Sequence, residues 1–284
     1  MGRIIAFIDG SVYSDSVLDH AAWAAKRLDV GVDVVHVIGR RDISTTTFDL
    51  SGSLMLGART NLLNELAELD AQKARLAKER GRVLVDSAVA RLKEAGVKEA
   101  HARLRRGDIL DAVQDLEPDA DLIVIGKRGE AADFAKLHLG SNLERVARAS
   151  TKPVIVASRG FQPPERFMIA FDGGVSATKA VAHIAQGKLF PGLECHIVMA
   201  GKDTEDNRGK LDATRLQLAN AGYKVATKLA DVEPEALIAD YVIDNAIQFL
   251  VMGAYGHSRI RTLIIGSTTT EMIRSVTIPV LLFR

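Results

Sequence analysis

The sequence predicts two α/β units in tandem, each a parallel sheet of five strands with helices on both faces. Three observations carry this. The run Arg3-Ile4-Ile5-Ala6-Phe7-Ile8-Asp9-Gly10 returns 163 residues later as Arg166-Phe167-Met168-Ile169-Ala170-Phe171-Asp172-Gly173, with Val12 matching Val175 and His20 matching His183 at the same offset. Short apolar runs alternate with helix-period segments along the whole chain, which is the pattern of a parallel sheet with crossover helices. Each copy also places a glycine-rich turn directly after its fourth apolar run. A repeat this long is a duplicated domain and not a solenoid unit.

In the first copy, residues 4–8 form an unbroken apolar run, as in a strand buried on both faces. A helix is expected over 14–28 and a second strand over 32–38. The polar, Ser/Thr-rich residues 40–57 read as a loop. From about residue 58 to 95 the pattern is helical, with Leu62, Leu66, Leu69, Leu76 and Val83 near one stripe. Gly81 weakens its middle and Gly96 closes it. A third strand at 100–104, a short helix at 109–116, a fourth strand at 122–125, a helix at 141–149 and a fifth strand at 154–157 complete the copy. The second copy repeats the plan with strands at 168–171, 196–199, 224–229, 249–252 and 280–283. Between the copies, Ser158-Arg159-Gly160-Phe161-Gln162-Pro163-Pro164-Glu165 has linker composition, which sets expected domains at 1–158 and 165–284.

Bulk composition narrows the function classes. Hydrophobic residues make up 47% and charged residues 26%, which fits a globular chain with a sizeable core. The net charge of +1 and an aromatic content of 5% argue against a nucleic-acid-binding surface. No apolar run approaches the roughly 18 residues of a membrane span, and the first strand starts at Arg3, leaving no room for a leader. Cys195 is the single cysteine, so no intramolecular disulfide forms and a cytoplasmic home is expected.

The residues suited to chemistry lie in the glycine turns. The second copy reads Gly253-Ala254-Tyr255-Gly256, then nine residues, then Gly266-Ser267-Thr268-Thr269 at the start of its last helix. Free backbone N–H groups and the positive end of the helix dipole gather there, which suits an anion. The first copy reads Gly126-Lys127-Arg128-Gly129, then ten residues, then Gly140-Ser141-Asn142-Leu143. It has fewer hydroxyls, and Lys127 and Arg128 add positive charge nearby. Neither turn carries the Gly-Lys-Ser/Thr of a Walker A loop. No Gly-x-Ser-x-Gly elbow and no Cys-x-x-Cys stands in the chain, and the seven histidines are scattered.

The Gly-two-Gly-nine-Gly-Ser/Thr pattern, the aspartate closing the first strand, and the Pro-Val opening of the fifth (Pro153-Val154 and Pro279-Val280) resemble the universal stress protein family. The resemblance covers nearly the whole chain as a tandem member. It implies a flavodoxin-like or Rossmann-like sheet in strand order 3-2-1-4-5, and binding of an adenine nucleotide, usually ATP, with magnesium as its counter-ion. By matching positions it places Asp172 at the ribose or adenine edge and Val198 beside adenine. Met252, Gly253, Tyr255 and Gly256 would flank the nucleotide, and Gly266, Ser267, Thr268 and Thr269 would hold phosphates. The matching first-copy set is Asp9, Val37, Gly126, Gly129, Gly140, Ser141 and Asn142. In the family, domains pair through the last strand, which sets 154–157 beside 280–283 and covers two sheet edges.

Plainer roles stand beside these. The glycine turns also suit tight turns that bind nothing, and Asp9 and Asp172 also suit helix N-caps. His20 and His183 read as packing residues, His257 equally as a phosphate contact or a loop histidine, Cys195 (aligned with Val34) as a small buried hydrophobe, and Arg103, Arg105 and Arg106 as a solvated strand end. Nothing supplies a general base beside the phosphates, so the sequence reads as a sensor or regulator of the stress response and not as an efficient enzyme. Slow ATP hydrolysis or autophosphorylation on Ser267, Thr268 or Thr269 is the most those hydroxyls would support. The alternative is an interaction module, a tandem pseudo-dimer that binds no nucleotide. A homodimer through residues 58–95 is a further expectation.

Overall fold

The computed structural model describes residues 2–39, 56–129, 141–254 and 267–284. Ten strands join in one sheet, in the order β3-β2-β1-β4-β5-β10-β9-β6-β7-β8. In the first copy these are β1 (Arg3–Phe7), β2 (Gly31–Ile38), β3 (Ala100–Arg106), β4 (Ala120–Gly126) and β5 (Val154–Ala157). In the second they are β6 (Arg166–Ala170), β7 (Glu194–Ala200), β8 (Val225–Ala230), β9 (Phe249–Gly253) and β10 (Val280–Phe283). Each half is parallel and has the order 3-2-1-4-5. The halves meet where β5 and β10 run antiparallel, with Ile155 opposite Leu281. Both residues are buried, so the seam is interior and neither copy keeps an open edge there.

Eight helices are described: α1 (Ser14–Leu28), α2 (Leu56–Glu94), α3 (Ile109–Leu116), α4 (Ser141–Ala149), α5 (Val175–Gln186), α6 (Glu205–Asn220), α7 (Pro234–Asp244) and α8 (Ser267–Ser275). Strand side chains alternate between two cores, as the period of two requires. Ile4, Ala6, Val32, Val34, Val124 and Ile155 lie on one face under α1, α2 and, in the second copy, α5. Ile5, Phe7, Val35, Ile123, Val154 and Val156 lie on the other, under α3 and α4, with α7 and α8 continuing that layer. Each core runs across both copies.

The junction is aromatic. Trp23 of α1 has its ring centroid 5.7 Å from Phe249 and 6.1 Å from Phe190, both in the second copy. Arg27, one turn along, donates to the carbonyls of Leu189 and Pro191 and places its guanidinium 5.7 Å from the Trp23 ring. The inter-copy segment is tied down too. Phe161 meets His20 edge-on at 4.8 Å, and Gln248 Oε1 accepts from the backbone N–H groups of Glu165 and Arg166 at 2.8 and 3.0 Å.

The element boundaries shift in ways that follow from packing. β3 continues to Arg106 although its side chains are charged, because residues 100–106 pair with β2 along its full length. Its arginines find partners: Arg103 reaches the buried Asp33 at 3.3 Å and Arg105 reaches Asp115 at 3.7 Å. Gly81 tolerates its place inside α2 because a Cβ there would lie 2.7 Å from Leu104 Cδ1 and 3.0 Å from His36 Cδ2. The helix passes close over these two side chains, and a side chain at position 81 would have to displace Leu104. Cys195 is fully buried, but strand register sets it in the place of Val32 and not of Val34, and burial pushes its thiol up.

His20 sits in the core of the first copy at 1% exposure, its Nδ1–H donating to the Ser16 carbonyl at 2.6 Å. Burial pulls its pKa from 6.5 down to about 4, so the ring is neutral at pH 7. The unfolded chain therefore binds a proton that the native state refuses between these values. The stability this group contributes is complete above pH 6.5 and is lost as pH falls toward 4, by about 3 kcal/mol at about 1.4 kcal/mol per unit. Urea denaturation at pH 7 and pH 4.5 is expected to show a smaller acid loss for His20→Leu than for the natural chain. Equal losses would contradict it.

Candidate functional site

The described candidate site lies at the carboxyl edge of the first copy, where β1 and β4 diverge into crossovers on opposite faces. This is the switch point at which open α/β sheets receive ligands. A cleft of about 1430 Å³ opens there, lined among others by Asp9, Val37, Gly126, Gly129 and Asn142. Of the first-copy residues expected from sequence, five thus converge on one space. Gly140 lies outside the described residues. Ser141 opens α4, whose next residues Asn142 and Leu143 line the cleft.

Asp9 follows β1 and braces the turn into α1. Its Oδ1 accepts from Ser11 N–H at 3.0 Å, while Gly10, at φ +79°, takes a conformation that suits glycine. Gly10 N–H donates to Ser14 Oγ at 3.0 Å. Asp9 is therefore not the N-cap, a position held by Tyr13. The second copy repeats the device: Asp172 Oδ1 accepts from Gly174 N–H at 2.8 Å, Gly173 has φ +72°, and Gly174 is the N-cap.

The glycines after the fourth strands are required by contact. A Cβ on Gly126 would lie 2.8 Å from Tyr13 Cβ, and one on Gly253 would lie 2.9 Å from Ser176 Cβ and 3.2 Å from the Ala177 backbone nitrogen. In both copies the strand end passes against the first turn of the first helix. A Cβ on Gly129 would come within 2.8 Å of Asp9 Oδ2, so that turn lies close against the aspartate.

Register changes one correspondence between the copies. Ile8 N–H donates to Val35 O at 3.0 Å, and Phe171 N–H donates to Val198 O at 2.9 Å. Val198 therefore corresponds to Val35, and Val37 to Ala200. Val198 and Met252 are both buried, and the Val198 carbonyl is engaged within the sheet. Gly253 ends β9, and Ala254 N–H donates to Phe283 O at 2.7 Å. Tyr255, Gly256, Gly266 and His257 lie outside the described residues. Ser267, Thr268 and Thr269 form the first turn of α8.

Lys127 does not turn toward the cleft. Its Nζ donates to Val276 O at 2.6 Å and Arg274 O at 3.3 Å, at the carboxyl end of α8 in the other copy. Free carbonyls and the negative dipole end gather there, and a cation is favoured. Burial and the neighbouring Arg128 pull the ammonium down to about 8. The second copy returns the arrangement through Arg284, which donates to Arg148 O at 2.9 Å at the end of α4. Each copy's last helix thus ends against a cation from the other copy. Lys127→Ala is expected to lower stability by about 1.5–3 kcal/mol, the range for hydrogen bonds to a charged group. A urea midpoint unchanged from the natural chain would refute that role.

Several cleft residues escaped the sequence reading. His36 lines the cleft and places Nδ1 2.9 Å from Ile8 O, fixing the strand end behind Asp9. Asp108 caps α3 by accepting from Leu110 N–H at 2.8 Å, and Arg145 of α4 grips both its carboxylate oxygens at 2.7 Å. Lys73 and Arg80 come from α2, which passes along the outer wall. Only the Asp108 cap had a local signal, an aspartate directly before an apolar helical run.

Comparison with known proteins agrees with this architecture. The family model described as Universal stress protein family matches residues 1–158 and 164–284. A curated relative, Universal stress protein Slr1230 from Synechocystis sp., is 38% identical over 287 residues, covering 100% of both chains. The crystal structure of a universal stress protein from Archaeoglobus fulgidus has a similar fold, with a TM-score of 0.74 at 20% identity over 99% of this chain and 98% of that one. A functionally unknown protein from Pseudomonas aeruginosa also shares the fold, with a TM-score of 0.62 at 14% identity over 99% of this chain and 92% of that one. No helix among the described residues is long and apolar enough to cross a membrane. The chain belongs to the universal stress protein family.

Proposed function

We propose that the chain binds adenine nucleotide, ATP with magnesium as its counter-ion, at the glycine turns, and acts in the cytoplasm as a sensor or regulator of the stress response. The observation that carries this is the convergence of Asp9, Val37, Gly126, Gly129 and Asn142 on one cleft, at the switch point and before the amino end of α4. The residues fit such a ligand. Gly126 and Gly129 leave bare backbone for phosphates to approach, Arg128 lines the same cleft, and its volume of about 1430 Å³ gives room for a nucleotide. Asp9 is held by the turn it braces, so it can orient a ribose hydroxyl without reorganising. Val37, at the carboxyl end of β2, offers backbone at the base end of the cleft. The second copy repeats the bracing aspartate and the close glycine, and Ser267, Thr268 and Thr269 open its last helix. The bound nucleotide supplies the signal, its phosphate state. The chain's residues hold and orient it.

Isothermal titration with ATP tests the reading. Saturable binding is expected, with ADP competing and GTP failing to displace ATP at the same concentration. An absence of heat at millimolar ATP, together with an unmoved melting temperature, would sink it and leave the interaction-module reading.

A further inference from the structure

Helix α2 is far longer than its counterpart α6, 39 residues against 16. Among its described side chains, those buried against the sheet belong to the carboxyl part: Val85, Ala88 and Leu92. Between residues 63 and 80 no residue is buried. Yet Leu69, Leu76 and, just beyond, Val83 recur every seven residues, at 47%, 65% and 69% exposure. A seven-residue apolar repeat keeps one seam on a helix and is the pattern of helix pairing.

The charges along the helix state what fits that seam. Residues 63–71 hold Glu65, Glu68 and Asp70 and no cation, while residues 74–82 hold Arg75, Lys78, Arg80 and Arg82 against the single Glu79. A two-fold axis between Gln72 and Lys73 sets Leu69 of one chain opposite Leu76 of the other. It also lays the acidic run 63–71 along the basic run 74–82 twice over. A parallel pair would set acid against acid and base against base, which is unfavourable. The seam, its periodicity and its segregated charge thus share one symmetric solution.

We propose that α2 is an interaction surface for a second copy of this chain, pairing antiparallel about Gln72–Lys73. Because Lys73, Leu76, Arg80 and Val83 also line the outer wall of the first-copy cleft, the second copy lies along the cleft's rim. The surface stands whether or not the cleft takes nucleotide.

Sedimentation velocity of the full chain tests it. The natural chain is expected at twice 30.7 kDa. Glu65→Lys with Glu68→Lys, and separately Lys78→Glu with Arg82→Glu, are each expected to sediment as monomers with unchanged far-UV circular dichroism. Mixing the two variants restores a dimer, since each then meets opposite charge. In addition, Gln72→Cys is expected to cross-link to itself under mild oxidation and Glu65→Cys is not. A monomeric natural chain, a dimer that survives both charge reversals, a mixture that stays monomeric, or Glu65→Cys self-cross-linking would each overturn the proposal.

Discussion

Replacing Phe249 with alanine is expected to cost about 3–5 kcal/mol, the range for removing a buried aromatic ring from a core. Phe249 is fully buried on β9. Its ring meets Phe190 edge-on at 5.4 Å and Trp23, from the other copy, at 5.7 Å. The residues around it are fixed by the sheet, so the space left cannot close by local collapse. The loss falls on the junction as well as on the second copy. Trp23 is the chain's single tryptophan, so its fluorescence reports that junction directly. In urea, the variant's fluorescence transition is expected to move to lower denaturant and to separate from the circular dichroism transition. A loss under about 1 kcal/mol would mean that the two halves are not held together by this aromatic cluster.

Gly253→Val is expected to remove nucleotide binding from the second copy, by about 100-fold or more, while destabilising the fold by about 1–3 kcal/mol, as overpacking does. The new side chain would start 2.9 Å from Ser176 Cβ and 3.2 Å from the Ala177 backbone nitrogen. Those atoms belong to the first turn of α5, directly after the loop that Asp172 braces. Relief requires moving the turn or the helix, and either displaces groups assigned to the ligand. Gly209→Ala is the control. It sits in the middle of α6 with nothing within 4 Å of the added Cβ, so it is expected to stabilise slightly and leave binding intact. Titrating both variants with ATP separates a local loss at the site from a general loss of fold.

Much of the architecture was legible because long-range geometry left local marks. The duplicated Asp-Gly strand ends mark where each first strand stops, and in both copies the structure places a braced turn there. Gly126 and Gly253 stand out in sequence, and their spacing reflects a contact between β4 or β9 and the first helix. The pairing of β5 with β10 was an expectation of the family resemblance, and it covers two sheet edges.

Other features left no such mark. The second strands read Val34-Val35-His36-Val37 and Cys195-His196-Ile197-Val198, and a slip of two residues keeps every side chain on the same face. Hydrophobic pattern cannot distinguish Val35 from Val37 as the partner of Val198, and only the ladder through Ile8 and Phe171 does. Lys127 looks like a phosphate-site cation because it stands inside the glycine motif. Its partners, the carbonyls of Arg274 and Val276, lie 147 and 149 residues away and carry no side-chain signature. The α2 residues at the cleft were unreadable for the same reason. Gly81 looks like a weakness in the helix, yet it allows α2 to pass close over His36 and Leu104.

The most direct test of the central claim is the small-molecule content of the purified chain, denatured and resolved by chromatography. Adenine nucleotide is expected, about two per chain when both turns are filled, falling by about one in Gly253→Val. A protein that releases no nucleotide, and whose melting temperature ATP does not raise, would contradict it.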